Sequence, residues 1–363
     1  MVFEKAGFTV TQTAVIYVNT DYRFSPEGDY ENLLSIGECT DRVGEWAATI
    51  ETLAEEAYAC INGKKPPVSL LNYCGAKLDC AYLRQHLPNL PDYHVGKIAR
   101  INAKKFHQLL ELDITDILDV HDDFKLSGKQ RRQVDLAKNK STYIQTAAIE
   151  KHLSKMTYPL YFLDYESLSY VTPFQAGFGP YQQMVFQYSL HTITEPGAEV
   201  RHTGYILKTK EEPVTYLLQR LQADIATTDG TVIVWNKGFE CGRHKEMAAI
   251  YPEFQEFLLS LNERVYDLME IFSKGYFRHH LFRGKSSLKS VLPALCPELS
   301  YADLNIGNGM TACIRWHQAT TVEKMTVGER KQVFEDLGRY CELDTWAMVR
   351  IWEEVRTYSQ AKN

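Results

Sequence analysis

The sequence has no apolar run approaching the roughly 20 residues that a helix needs to cross a bilayer, so a helical membrane span is not expected. Its opening, MVFEKAGFTVTQTAV, lacks the basic flank and apolar stretch of a secretory signal. A cytoplasmic protein with no membrane partner is the expectation. Cysteine is sparse: eight in 363 residues, too few for a disulfide framework. Most of them read as small buried hydrophobes. There is no excess of positive charge either. The 40 basic and 46 acidic side chains leave a formal charge of −6, which argues against a protein that coats nucleic acid by charge alone. That balance still leaves room for an enzyme that gathers cations on carboxylates, with phosphate binding confined to a local patch. Internal repeats and low-complexity segments are lacking too.

What is present is a globular composition, 45% hydrophobic and 24% charged, in a chain long enough for two or three cores. In residues 1–67, VTQTAVIYVNTDYRF reads as a strand running into a polar turn, and EWAATIETLAEEAYACI as an amphipathic helix. Residues 68–148 open as a loop punctuated by cysteine and proline. KIARINAKKFHQLLEL, ITDILDV and LSGKQRRQVDLAK follow as a small helical module. Lys104, Lys105, Lys129, Arg131 and Arg132 interleave with its core positions, and a solvated helix surface is favoured there over a nucleic-acid contact. Residues 149–363 change character. YPLYFLDYESL, QQMVFQYSLHTI and VRHTGYILK are strand candidates rich in Tyr, Phe, Val and Ile. EEPVTYLLQRLQADIA is a helix, and TVIVWN is an apolar strand after a DG turn. FECGRHKEMAAI, PEFQEFLLSLNERVYDLMEIF, SSLKSVLPAL and RKQVFEDLGRYCELDTWAMVRIWEEVRTY all read as helical. The succession implies an α/β fold, a mixed sheet with helices packed around it.

Three carboxylate elements stand out. Asp164 and Glu166 fall at the end of the strand YFLDYES, where period-two alternation puts both on one face. One acid there is a common loop starter, whereas two on one face repel unless a cation lies between them. In VIVWNKGFE the strand ends at Asn236, and Glu240 lies in the first turn of the next helix, where the helix dipole alone would favour it. In RYCELDTWAMV, Tyr340 and Asp344 are four apart and share a helix face. Tyr340 can equally pack, and Asp344 can cap or pair with Arg350.

In this order (strand with D-x-E, strand then N-x-x-x-E, helix with Y-x-x-x-D) the elements resemble the three motifs of the DEDD superfamily of 3′→5′ exonucleases, in its tyrosine branch. The resemblance covers roughly residues 156–357. The phrases YFLDYES, PYQQMVFQYSLH, WNKGFE and YCELDTWAMV further resemble a bacterial family that joins an RNase H-like exonuclease to a RecB-like (PD-(D/E)XK) nuclease region. It implies an RNase H-like mixed sheet in 149–363, preceded by a RecB-like remnant in 1–67 and the helical module in 68–148. It also implies two divalent cations, Mg²⁺ or Mn²⁺, and single-stranded DNA or RNA as substrate. Asp164, Glu166 and Asp344 would hold the catalytic ion, Asp164 and Glu240 the second, and Tyr340 would orient the attacking water. Two such ions about 3.5–4 Å apart stabilise both the attacking and the leaving oxygen. The second motif departs from the family, which has Asp where this chain has Glu240.

Softer candidates surround these. Lys289 can meet a substrate phosphate or lie on a helix surface, Gln183 can approach from the second strand or sit at its edge, and Asn236 closes the second motif. Asp267 would support the site or cap its helix, and Trp235 and Phe239 would pack or stack on bases. Cys60, Cys74 and Cys80 fall close together, and the even spacing of Cys74, Cys80 and His86 suggests a second metal site on these four residues. However, they miss the paired C-x2–4-C pattern, and free thiols are favoured over zinc or an iron–sulfur cluster. Two rival functions are compatible with parts of the sequence: a non-catalytic nucleic-acid-binding scaffold on the same shell, and a phosphohydrolase built on His121-Asp122. The second lacks the accompanying motifs.

Overall fold

The computed structural model describes residues 2–28, 30–64, 89–225 and 229–360. They fall into two units, one holding residues 2–64 with Ser169–Gln182 and the other holding the remainder.

In the first unit a single turn, Val2–Lys5 (α1), precedes an antiparallel pair, Ala14–Val18 (β1) and Leu34–Glu38 (β2). The helix Thr40–Asn62 (α2) follows. Among the described residues of this stretch only Leu33 is a buried apolar side chain, while Ile16, Tyr17, Ile36 and Trp46 lie open.

In the second unit the helical module consists of Ala103–Glu111 (α3) and Gly128–Asn139 (α4). Each starts where the sequence supplies a cap. Asn102 Oδ1 accepts from the Lys105 N–H at 2.9 Å, and Ser127 and Gln130 form a reciprocal capping box. ITDILDV, expected to be a helix, makes only the short 3-10 turn Ile117–Asp119, started by the Asp116 side chain. Likewise, the residues before Ala103 in KIARINAKKF stay outside α3. Thr142–Ile144 (β3) pairs antiparallel with Phe277–His279 (β9), and Thr146–Leu153 (α5) leads into the main sheet.

That sheet is mixed and five-stranded, in the spatial order β6-β5-β4-β7-β8. Its members are Leu160–Ser169 (β4), Gln183–Ile193 (β5), Arg201–Ile206 (β6), Thr231–Val234 (β7) and Val265–Asp267 (β8). β4 runs parallel to β7 and β7 parallel to β8, whereas β5 and β6 are antiparallel. β7 is buried at all four positions, as a parallel strand covered on both faces must be, which is why TVIV shows no alternation. Gly230 enters it at φ +89°, where a Cβ would strike the Pro159 carbonyl oxygen. Val214–Asp224 (α6), Lys237–Ile250 (α7), Gln255–Glu263 (α8), Glu270–Ser273 (α9), Leu288–Leu295 (α10) and Gly309–Thr321 (α11) follow the strands.

The stretch PEFQEFLLSLNERVYDLMEIF is not continuous helix as expected. VYD inside it forms β8, the fifth strand. The long C-terminal helix Val327–Gln360 (α12) lies across one face of the sheet. It is fixed there by Gln187 Nε2 donating to the Leu337 carbonyl at 2.9 Å and by the Ser189–Thr345 hydroxyl pair at 2.8 Å. Trp352 meets Phe162 edge-on, with ring centroids 5.8 Å apart. Phe162, Ile233, Val291, Met348 and Val355 belong to the core between helix and sheet. No helix among the described residues is long and apolar enough to cross a membrane.

Candidate metal centre

Asp164 and Glu166 lie midway along β4 rather than at its end, since the strand continues to Ser169. Alternation turns them to the same face as Phe162, toward α12, while Tyr165 points the other way and bonds His244 Nε2 at 2.9 Å. From α12, Cys341 comes within 3.6 Å of Asp164 Oδ2, and one ligand atom from each of Asp164, Glu166 and Cys341 lie within 4.8 Å of one another. Asp344, one turn further on, is 7% exposed and accepts a hydrogen bond from the Tyr301 hydroxyl on Oδ1.

Glu240 reaches the same neighbourhood from α7. The chain leaves β7 through Asn236 at φ +92°, a left-handed conformation that asparagine tolerates. Asp267, at the end of β8, holds that corner. Its Oδ1 accepts from the backbone N–H groups of Asn236 at 3.1 Å and Met269 at 3.0 Å, and its Oδ2 accepts from that of Lys237 at 3.1 Å. It therefore fixes the start of α7, a positioning task rather than contact with the acids. Glu240 is 2% exposed, and its Oε2 is buried without a hydrogen-bond partner.

The four acids share one electrostatic environment. Burial, then the charges of Asp344, Glu166 and Glu240, holds the Asp164 carboxyl well above the usual range. Burial and Asp344 push Glu166 up to about 8, against the pull of Lys289. Burial also lifts Glu240 to about 8, with Asp267 and Glu166 adding to the rise and its own backbone N–H and Arg243 opposing it. Asp344 rises less, to about 6, because hydrogen bonds from Tyr301 and Tyr340 and the Lys289 charge offset its burial. Burying acids at this density is costly unless a cation compensates them.

Lys289, the softer candidate from α10, belongs to this site. Its ammonium donates to the Tyr340 hydroxyl at 3.1 Å and the Gly307 carbonyl at 2.7 Å, and it lies 5.1 Å from the Tyr340 ring centroid. Gly307 is in the loop before α11, where a Cβ on Gly309 would come 3.4 Å from Glu166 Oε2.

The other candidates are not gathered in. Gln183 Oε1 accepts from Ser167 Oγ at 2.8 Å, and alternation places Ser167 on the other face of β4. The Asn236 side chain is exposed and caps nothing. Trp235 stacks on Phe272 and donates to the Ser286 carbonyl at 3.1 Å, and Phe239 lies under the Arg243 guanidinium. Asp122 is an exposed partner of Lys138 at 2.9 Å. Cys60 is an exposed free thiol on α2, and Cys74, Cys80 and His86 lie outside the described residues. Sequence reasoning missed Cys341 and Tyr301, because their place beside the acids depends on where α12 and the loop before α11 cross the sheet.

Residues 161–287 match the family described as Domain of unknown function (DUF2779). The matched stretch holds Asp164, Glu166 and Glu240 and stops before α10, so Tyr340 and Asp344 lie beyond it. The uncharacterized protein UU173 of Ureaplasma parvum serovar 3 is 27% identical over 279 residues, which take in 70% of this chain and 39% of that relative. The chain thus spans well under half of the relative's length. No solved structure matches.

Proposed function

We propose that the chain is a metal-dependent 3′→5′ exonuclease on an RNase H-like fold, hydrolysing phosphodiester bonds of single-stranded DNA or RNA. One observation carries this reading. Asp164 and Glu166 from the central strand, Glu240 from α7 and Asp344 from α12 form one set of acids, the first half-buried and the other three buried, with a Glu240 oxygen left unpaired. The donor set fits hard divalent cations, which take oxygen ligands. Asp164, Glu166 and Asp344 would hold one and Asp164 with Glu240 another. When bound, they would neutralise charge on the attacking and leaving oxygens. The central place of β4 and the mixed order of the sheet agree with the RNase H-like reading.

The protein's own groups have separable tasks. Burial and the nearby acids hold the Tyr340 phenol far above its usual range, so it stays protonated; its one proton serves Asp344 here and would orient a water only when turned from that carboxylate. Lys289 fixes the Tyr340 hydroxyl and opposes the charge of Glu166 and Asp344. Tyr301 holds Asp344 in place through its carboxylate.

The test is purified protein on end-labelled single-stranded DNA and RNA with Mn²⁺ or Mg²⁺. Stepwise shortening from the 3′ end, abolished by EDTA, is expected. Folded protein that cleaves neither polymer with either metal would overturn the catalytic reading in favour of a non-catalytic nucleic-acid-binding scaffold.

A further inference from the structure

A second feature of the sheet-bearing unit has no part in this chemistry. Between the helical module and the β9 segment lies a cavity of about 610 Å³. Among the described residues that line it, Arg100, Lys105, Lys129, Arg278 and Lys285 are permanently cationic and none is an aspartate or glutamate. His279 and His280 complete this polar wall, with His280 Nδ1 buried and without a partner. Among the described residues none of the five cations forms an ion pair. Some basic groups elsewhere in the unit are matched to acids, as in Arg131–Asp135, Arg243–Glu246, Lys274–Glu270 and Arg350–Glu298, whereas these five gather round one cavity.

Concentrating unpaired positive charge in one concavity, in a chain of formal charge −6, is unfavourable unless an anion occupies it. Arg278 is half-buried among these groups, and burial, then the charge of nearby Arg132, lowers its guanidinium from the usual range. The half-buried Tyr93 ring adds an aromatic surface, with the Arg283 guanidinium 5.8 Å from its centroid. Charge for phosphates beside an aromatic face for bases is the combination that single strands need.

The cavity also lies close to the acids along the chain. Lys285 and Ser286 line it, and Lys289, four residues after Lys285, reaches Tyr340. Four residues span at most about 14 Å. Trp235, which donates to the Ser286 carbonyl, directly precedes the corner that carries Glu240.

We infer that this cleft binds the phosphodiester backbone of single-stranded nucleic acid and holds the strand whose end reaches the carboxylate cluster. The assignment of that strand as substrate rests on the exonuclease reading, whereas binding itself does not.

The experiment measures fluorescence anisotropy of a labelled single-stranded oligonucleotide in EDTA, so hydrolysis plays no part. It compares the wild type with Lys105→Gln/Lys129→Gln/Lys285→Gln and with a charge-matched control, Lys151→Gln/Lys245→Gln/Lys331→Gln, at exposed or half-exposed positions outside the cleft. The cleft variant should bind about tenfold or more weakly. Its log–log salt dependence should flatten by about 2, since each single-strand contact contributes about 0.7. The control should stay within about twofold of wild type. Lys285→Glu alone, read the same way, covers the event that the triple variant misfolds.

Equal losses in both triple variants, or undiminished binding in the cleft variant, would overturn the inference. So would a wild type that binds no oligonucleotide, including one that instead binds inorganic phosphate or a nucleoside monophosphate. Binding lost in the cleft variant, with no hydrolysis by wild type in Mn²⁺, would sustain the cleft and overturn only the exonuclease reading.

Discussion

Replacing Glu240 with Gln removes one ionisable acid from the cluster while keeping its size and one of its acceptors. Burial lifts this carboxyl from the ordinary 4.5 to about 8. The folded protein therefore holds a proton between these values that the unfolded chain has released. Stability of the metal-free protein must then fall as pH rises across that window, the loss being complete above about 8. A displacement of this size corresponds to about 5 kcal/mol if Glu240 titrated alone. It does not, because Glu166 and Asp164 feel its charge and the set ionises together. A penalty of roughly 2–5 kcal/mol is the reasonable range. In EDTA at pH 8 or above, Glu240→Gln should then melt about 5–15 °C above wild type, and near pH 5 the two should converge.

The competing role for Glu240 predicts the opposite sign. A carboxylate that merely complements the start of α7 contributes about 0.3–1 kcal/mol, so its removal would lower the melting temperature slightly at neutral pH. Thermal melts by circular dichroism between pH 5 and 8.5, with and without Mn²⁺, separate the two. In the metal-site reading Mn²⁺ raises the wild-type melting temperature most at high pH, and the variant gains less. If the variant is less stable than wild type at pH 8 and Mn²⁺ stabilises both equally, the coupling argument fails.

Asp164→Asn should reduce nuclease turnover at least as far as any other single change, since its carboxyl feels all three other acids; substantial residual activity would contradict its central place. Lys289→Met removes the cation that lowers Glu166 and Asp344. The acid limb of the pH–rate profile should then move up by about one pH unit, and an unmoved profile would mean that Lys289 serves the fold alone. Cys341, whose thiol is held well above its usual range by burial and the nearby acids, should act as a neutral neighbour of Asp164 rather than a thiolate ligand. Cys341→Ser should accordingly keep most Mg²⁺- or Mn²⁺-dependent activity, and loss of activity that only thiophilic metals support would point to a thiolate site instead.

Much of the main sheet could be read from the chain because each long strand carries its own pattern. β4 is rich in aromatic residues and leucine, β5 in aromatic and β-branched residues, and β7 is wholly buried between a glycine turn and an asparagine corner. The two acids of β4 were assigned to one face by alternation, which needs no knowledge of the partner strands. β8 escaped because VYD is three residues long and directly follows the helical LLSLNER, so no periodicity could mark it. Its loss had a consequence. Without β8, Asp267 looked like a residue of a helix, whereas at the end of an edge strand its carboxylate binds the corner that delivers Glu240.

The cleft was illegible for a different reason. Lys105 and Lys129 belong to helices whose caps and apolar spacing account for them fully as surface residues, and Arg278 and Lys285 sit more than 140 residues away, around β9. Nothing in any one segment separates a solvated lysine from one facing other cations. That distinction is made by the cavity they share. Arg131, two positions after Lys129, meets Asp135 and the His121 and Phe124 carbonyls and is thereby accounted for by the fold. Lys129 meets no acid among the described residues, and its charge adds to that of Arg100, Lys105, Arg278 and Lys285 around one cavity. A folded chain with more acids than bases could have scattered its carboxylates among these groups, yet it gathers four largely buried ones at the sheet and, among the described residues, leaves these five cations unmatched. This separation of charge along a short path gives a polyanion a place to lie and gives divalent cations a place to bind at its end.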